Sequence, residues 1–135
     1  MSKRLWVPRD LRENISFRRG VLQSVRDDPS LADDYRAICA SDILFWVNTF
    51  VWAYRPKEVV LPKVPFVTWA YQDEAFAVME ECCGVEDLLF EKSRRMGASW
   101  MIGLFFLHRW MFRYKNFFLY SESLEMKRFR FSVIT

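Results

Sequence analysis

What this sequence has little of narrows its chemistry first. It holds one histidine, His108, and three cysteines, Cys39, Cys82 and Cys83. A single imidazole leaves no zinc constellation. An odd number of thiols, two of them adjacent, is a poor disulfide framework and points to a reducing cytosol. No apolar run reaches the ~20 residues of a membrane span. Asn48-Thr49 breaks the first run and His108-Arg109 ends the second. The N-terminus is charged and has no apolar signal region, so a cytoplasmic chain with no membrane partner is expected. Charge of one sign is also scarce: 20 basic against 17 acidic residues leave a net +3, too weak to imply nucleic acid by itself. The basic residues gather at Lys3 to Arg19, Lys92 to Arg95 and Lys127 to Arg130. Solvated termini account for the first and last clusters.

Apolar and aromatic residues are abundant. At 135 residues, 52% hydrophobic and 18% aromatic, the chain has the material for one cored domain, which excludes disorder over most of its length. So much aromatic surface in a short chain also suggests a covering partner or a missing remainder. Pro8-Arg9-Asp10 starts a first helix. Ser30 is the expected N-cap of a second, with helical spacing through Leu31, Tyr35, Ile38 and Cys39. Ser41 or Asp42 caps a third, Ile43 to Tyr54, which is apolar on nearly every side and therefore buried. Residues 56–70 hold three prolines and the short apolar pieces Val59-Val60-Leu61 and Phe66-Val67-Thr68-Trp69, and read as an extended connector. A helix follows from about Gln72, with Ala75, Phe76, Met79, Cys82 and Cys83 on one face and Gly84 as its stop. A strand (Asp87 to Lys92), a loop, a helix (Ala98 to Phe112) and a strand (Asn116 to Tyr120) then make a βαβ unit. The last fifteen residues complete no obvious further strand. The four tryptophans Trp46, Trp52, Trp100 and Trp110 read as core, His108 as an ordinary core or surface histidine, and Cys82-Cys83 as packing rather than redox groups.

The chemistry concentrates between that strand and helix, at Lys92-Ser93-Arg94-Arg95-Met96-Gly97-Ala98-Ser99. A strand, a tight basic loop and a helix bring backbone N–H groups and cations to one point, which is how a triphosphate is cradled. The stretch nearly fits G-x-x-x-x-G-K-[ST], but Lys92 stands in the first glycine's place and Ala98 in the lysine's. Gly97 allows close backbone approach, and Ser99 offers a hydroxyl for magnesium just inside the helix. Lys92, at the opposite rim of the loop, can do the missing lysine's electrostatic work, and Arg95 can add a planar, bidentate contact. A basic strand-to-helix turn with no ligand is the alternative.

Lys-Ser-x-Arg-x-Gly-x-Ser, with the lysine moved to the start of the loop, resembles the deviant Walker A of the large terminase subunit, the ATP-driven DNA-packaging motor of tailed bacteriophages. Upstream, Pro65-Phe66-Val67-Thr68-Trp69-Ala70-Tyr71-Gln72 is similar to that family's adenine motif. The resemblance covers roughly residues 35–120. It implies an α/β chain with a partial P-loop NTPase fold: an N-terminal helical region (1–55), a partial ATPase core (56–121) and a divergent tail (122–135). It implies ATP and Mg²⁺ as cofactors. Lys92, Ser93, Arg94, Arg95, Met96, Gly97, Ala98 and Ser99 would line the phosphates, with Lys92 the phosphate lysine, Arg95 a second cation and Ser99 the magnesium ligand. Tyr71 would stack on adenine and Gln72 would pair with its edge. Other terminase or portal subunits are implied partners, and double-stranded DNA only through the complete motor, in the bacterial host cytoplasm.

The chain departs from that family after the loop. No apolar run there ends in the adjacent acids that hold magnesium and activate water; only Glu122 and Glu125 lie beyond residue 120. The family's nuclease carboxylates are missing too. The expectation is a truncated ATPase part that binds nucleotide without turning it over alone. The alternative is a small interaction protein that docks on an intact packaging motor and interferes with it.

Overall fold

Asp10 starts the first helix for a local reason. Its carboxylate accepts the N–H groups of Arg12 and Glu13 at 3.0 and 3.2 Å, satisfying amides that α1 (Leu11–Asp27) leaves without acceptors. The computed structural model to which this helix belongs describes residues 6–55, 57–91, 97–113 and 131–134. Ser30 occupies the expected N-cap position of α2 (Leu31–Ser41) but does not cap it in the usual way. Ser30 has helical backbone angles and caps nothing with its side chain. Its N–H and hydroxyl donate instead to Asp28 Oδ1 at 3.0 and 2.6 Å, because a short carboxylate two residues upstream competes for both donors. Those bonds hold the Asp28 carboxyl below its usual range. Asp42, as expected, caps α3 (Ile43–Phe50), accepting from Leu44 and Phe45.

α3 is shorter than its apolar run. All of Ile43 to Thr49 is buried, as an all-round apolar helix requires, but the helix ends at Phe50 rather than Tyr54. Trp52–Tyr54 forms β1, antiparallel to β2 (Lys63–Pro65), with Trp52 opposite Pro65 and Tyr54 opposite Lys63. Aromatic residues on alternate positions suit a strand as well as a helix, and the strand wins because β2 supplies a partner. Pro62 and Pro65 thus belong to a hairpin rather than to a plain connector.

The chain divides into two compact units, Met1–Trp69 and Ala70–Thr135. In the first, the hairpin and α3 are tied to α1 by buried polar groups. Asn14 donates to the carbonyls of Pro8 and Asn48 at 2.8 and 2.9 Å. Arg18, only 3% exposed, donates to Asn14 Oδ1 at 2.7 Å and to the carbonyls of Val51 at 2.7 Å, Phe66 at 3.1 Å and Val47 at 3.4 Å. Its guanidinium also sits over the Trp52 ring, 5.0 Å from the centroid. Burial lowers its pKa to about 10, so it stays charged at neutral pH. Asn48 accepts from the Thr68 N–H at 2.9 Å and donates to Leu44 O at 2.8 Å and Thr68 Oγ1 at 3.0 Å. Arg9 donates to Asn48 Oδ1 at 3.2 Å and to both oxygens of Thr68. Arg18 is therefore not the solvated charge its basic neighbourhood suggested, although Arg19 beside it is exposed.

In the second unit, α4 (Ala70–Cys82) buries Gln72, Phe76, Met79 and Cys82, a three-to-four residue spacing. α5 (Ala98–His108) packs against it and buries Ala98, Met101, Leu104, Phe105 and His108. Gly84, at φ 77°, makes the left-handed exit from α4. The helix expected to reach Phe112 continues past His108 as a π-helical turn, Arg109–Arg113. β3 (Leu88–Glu91) pairs parallel with β4 (Phe131–Ile134), Leu88 opposite Phe131 and Glu91 opposite Ile134. The tail thus does supply a strand, where none was expected: four residues too short to show periodicity pair because β3 offers an edge. The expected strand at Asn116 to Tyr120 lies outside the described residues. The chain is mixed α/β and mostly helical. No helix among the described residues is long and apolar enough to cross a membrane.

Candidate functional site

The candidate loop joins β3 to α5. Lys92, Ser93, Arg94, Arg95 and Met96 lie outside the described residues. Its far end is described, and there the backbone is unusual. Gly97 has φ 75° and ψ 14°, the left-handed region where a side chain is strained. It occupies the N-cap position of α5 and has no side chain with which to cap it. The first helical bond runs from the Met101 N–H to Gly97 O at 3.0 Å. Helix geometry leaves the amides of Ala98 and Ser99 without acceptors inside the helix, at the end where the peptide dipoles favour negative charge. Ala98 is buried against α4, and Ser99 and Trp100 are exposed.

The second sequence-predicted element reaches the same place. Tyr71 and Gln72 occupy the first turn of α4, Tyr71 on its exposed side and Gln72 on its buried side. A Cβ built on Gly97 would stand 3.0 Å from Gln72 Nε2. The Gln72 amide therefore fills the space that a side chain at 97 would take. Gln72 and Gly97 are brought together, Ala98 follows on the helix side, and Ser99 faces outward in the next position.

Other candidates fall to structural roles. His108 is fully buried, its ring 5.1 Å from that of Phe112. Burial and the Asp42 charge push the Cys39 thiol up to about 12. The Cys82 thiol is also raised, by burial and by Glu86, whose carboxylate it meets at 3.6 Å, and by Glu81. Both are protonated at neutral pH and poor nucleophiles. Among the described residues no group of three or more His, Cys, Asp or Glu is placed to hold a metal. A charge cluster that the sequence reading passed over ties α4 to the end of α5: Glu80 lies 3.8 Å from both Arg109 and Arg113, and Arg109 covers the Phe105 ring at 4.9 Å. The signal for it was the i, i+4 spacing of two arginines after an aromatic residue.

Compared with protein-family models, curated proteins and solved structures, the chain matches none.

Proposed function

We propose that the loop from Lys92 to Ser99 and the first turn of α4 form one nucleotide site, and that the chain is the N-terminal ATPase part of a phage DNA-packaging terminase large subunit. The observation that carries this reading is the close approach of Gln72 to Gly97. The adenine motif and the phosphate loop, twenty-odd residues apart in the sequence, have neighbouring residues in space. A base stacked on exposed Tyr71 would then lie beside the glycine over which the phosphates turn.

In this reading Lys92 and Arg95 neutralise the triphosphate from one rim, and the leading amides of α5 bind it from the other. Ser99, exposed in the first turn, offers magnesium the single hard oxygen that such sites commonly take from the protein, with phosphates and waters completing the shell. In the same reading β3, which leads into the loop, is a strand of a partial P-loop NTPase fold. With no acid pair following an apolar run after the loop, the chain holds ATP without hydrolysing it alone.

Nucleotide binding to purified chain, followed with a fluorescent ATP analogue, tests the site. Lys92→Ala is expected to weaken binding by about tenfold or more, as loss of a charge-assisted phosphate contact does, with an unchanged unfolding curve. Equal binding by both proteins overturns the assignment.

A second reading, a protein that docks on an intact packaging subunit, is favoured by one feature. α5 and its continuation expose Trp100, Leu107, Trp110 and Met111 on the side opposite the buried stripe, and a helix apolar on both sides is normally covered on both. Co-purification with a full-length terminase subunit, unaffected by Lys92→Ala, would select this reading over the first.

A further inference from the structure

The turn of the β1–β2 hairpin exposes what a soluble chain hides. Val59, Val60 and Leu61 are 94%, 88% and 65% exposed. Single exposed aliphatic residues are ordinary, but three in a row form a patch that asks for an occupant. The turn presents them by its own bonding. The Arg55 N–H donates to Pro62 O at 2.7 Å and closes the neck, the Glu58 N–H donates to Arg55 O at 3.1 Å, and the two side chains pair at 3.1 Å.

Behind the aliphatic tip come cations and aromatic rings. Lys57 and Lys63 are exposed and have no ion pair among the described residues. Tyr54 stands opposite Lys63 in the ladder, with Trp52 two residues on and so on the same face of β1, and both rings are exposed.

We propose that this hairpin is a contact for an anionic lipid surface. The Val59-Val60-Leu61 tip enters the boundary of the acyl chains, Lys57 and Lys63 meet anionic headgroups, and Tyr54 and Trp52 sit at the polar interface that tyrosine and tryptophan favour. Two features select lipid over protein. The tip is convex, and a bilayer yields around a convex apolar point whereas a protein must offer a matching pocket. The aliphatic tip is followed by a rung that carries both Lys63 and Tyr54, the cation and the amphipathic ring that share the headgroup level of a bilayer. The run-length test that excludes a membrane span is silent on a three-residue tip. The inference is independent of the nucleotide site, which lies in the other unit.

Flotation of the purified chain with phosphatidylcholine vesicles, with and without phosphatidylserine, tests it. Wild type is expected to float with the anionic vesicles. Val59→Asp with Val60→Asp should lower partitioning by about tenfold or more. Lys57→Gln with Lys63→Gln should lower it roughly fivefold per lysine at low salt and remove most of its salt dependence. Unfolding curves and nucleotide binding should match wild type, since these side chains are exposed. Three results overturn the proposal: no flotation of wild type, equal flotation of the aspartate variant, or a wild-type oligomer that the aspartate variant dissolves, which would make the tip a protein contact.

Discussion

In the Met1–Trp69 unit a network of buried polar side chains ties elements together beside the apolar core, and in the Ala70–Thr135 unit α4 and α5 meet mainly at apolar ones. Asn14, Arg18, Asn48 and Thr68 are buried and bonded to one another or to backbone carbonyls. Phe76, Met79, Met101, Leu104 and Phe105 do the corresponding work in the second unit. The difference concerns specificity. A hydrogen bond is satisfied in one register only, so the first unit fixes the end of α3 and the entry to the hairpin by the directions of its carbonyls. Apolar side chains tolerate small shifts, so the second unit is pinned where geometry leaves no room, at Gly97 beneath Gln72.

The sharpest way to break the comparison is to remove Arg18. Its head bonds Asn14 and three carbonyls from three segments. Arg18→Met keeps most of the volume and takes from Asn14 Oδ1 its buried donor, while the Val47 and Val51 carbonyls keep the N–H groups of Val51 and Phe66. A loss of about 1.5–3 kcal/mol is expected, the usual cost of losing buried hydrogen bonds to a charged group, read as a lower urea midpoint by tryptophan fluorescence. Arg18→Lys keeps the charge but not the planar fork and should recover only part of the loss. A Met variant within about 1 kcal/mol of wild type would show that packing, not the polar tie, holds this unit.

The second unit is tested at its tight point. Gly97→Ala meets two obstacles, the left-handed backbone and the Gln72 amide 3.0 Å from the new carbon. Together they should cost about 1–3 kcal/mol. Gln72→Ala removes the second obstacle and leaves the first, so the double variant should be less destabilised than the sum of the singles. Strict additivity in a double-mutant cycle would mean that the two residues do not contact. If the proposed site is right, nucleotide affinity falls in Gly97→Ala as well.

How much of this was legible beforehand differs between the units for the same physical reason. Caps are local, so Asp10 and Asp42 could be read directly, and Ser30 failed only because Asp28 lay close enough to claim its donors. The end of α3 is not local. Val51 to Tyr54 carry residues that either a helix or a strand accepts, and the decision rests with β2, ten residues on. Arg18 was hidden because a cation's default place is solvent, and only the convergence of Val47, Val51 and Phe66 carbonyls makes an interior place for it. At the candidate site, the loop's residue types announced Gly97 and Ser99 and the family resemblance Tyr71 and Gln72, but the contact between Gln72 and Gly97 depends on how α4 packs on α5, which no spacing encodes.

The smallest expected effects sharpen the contrast at the helix starts. α1 and α3 each begin with an aspartate accepting two backbone N–H groups, whereas α5 begins on Gly97 with no capping side chain. Asp10→Ala and Asp42→Ala should each cost about 1 kcal/mol. Asp42 should cost more, because its bonds are partly buried and those of Asp10 face solvent, and an amide stranded away from water loses more than one that water can reach. Asp42→Ala carries an internal check. The Asp42 carboxylate is one reason the Cys39 thiol is raised, so its removal should move that thiol's titration down while burial keeps it above the ordinary range. Thiol reactivity measured against pH reads this directly. A cap variant that loses stability without moving the Cys39 titration would place the loss in the helix start alone and remove Asp42 from the electrostatics of the thiol.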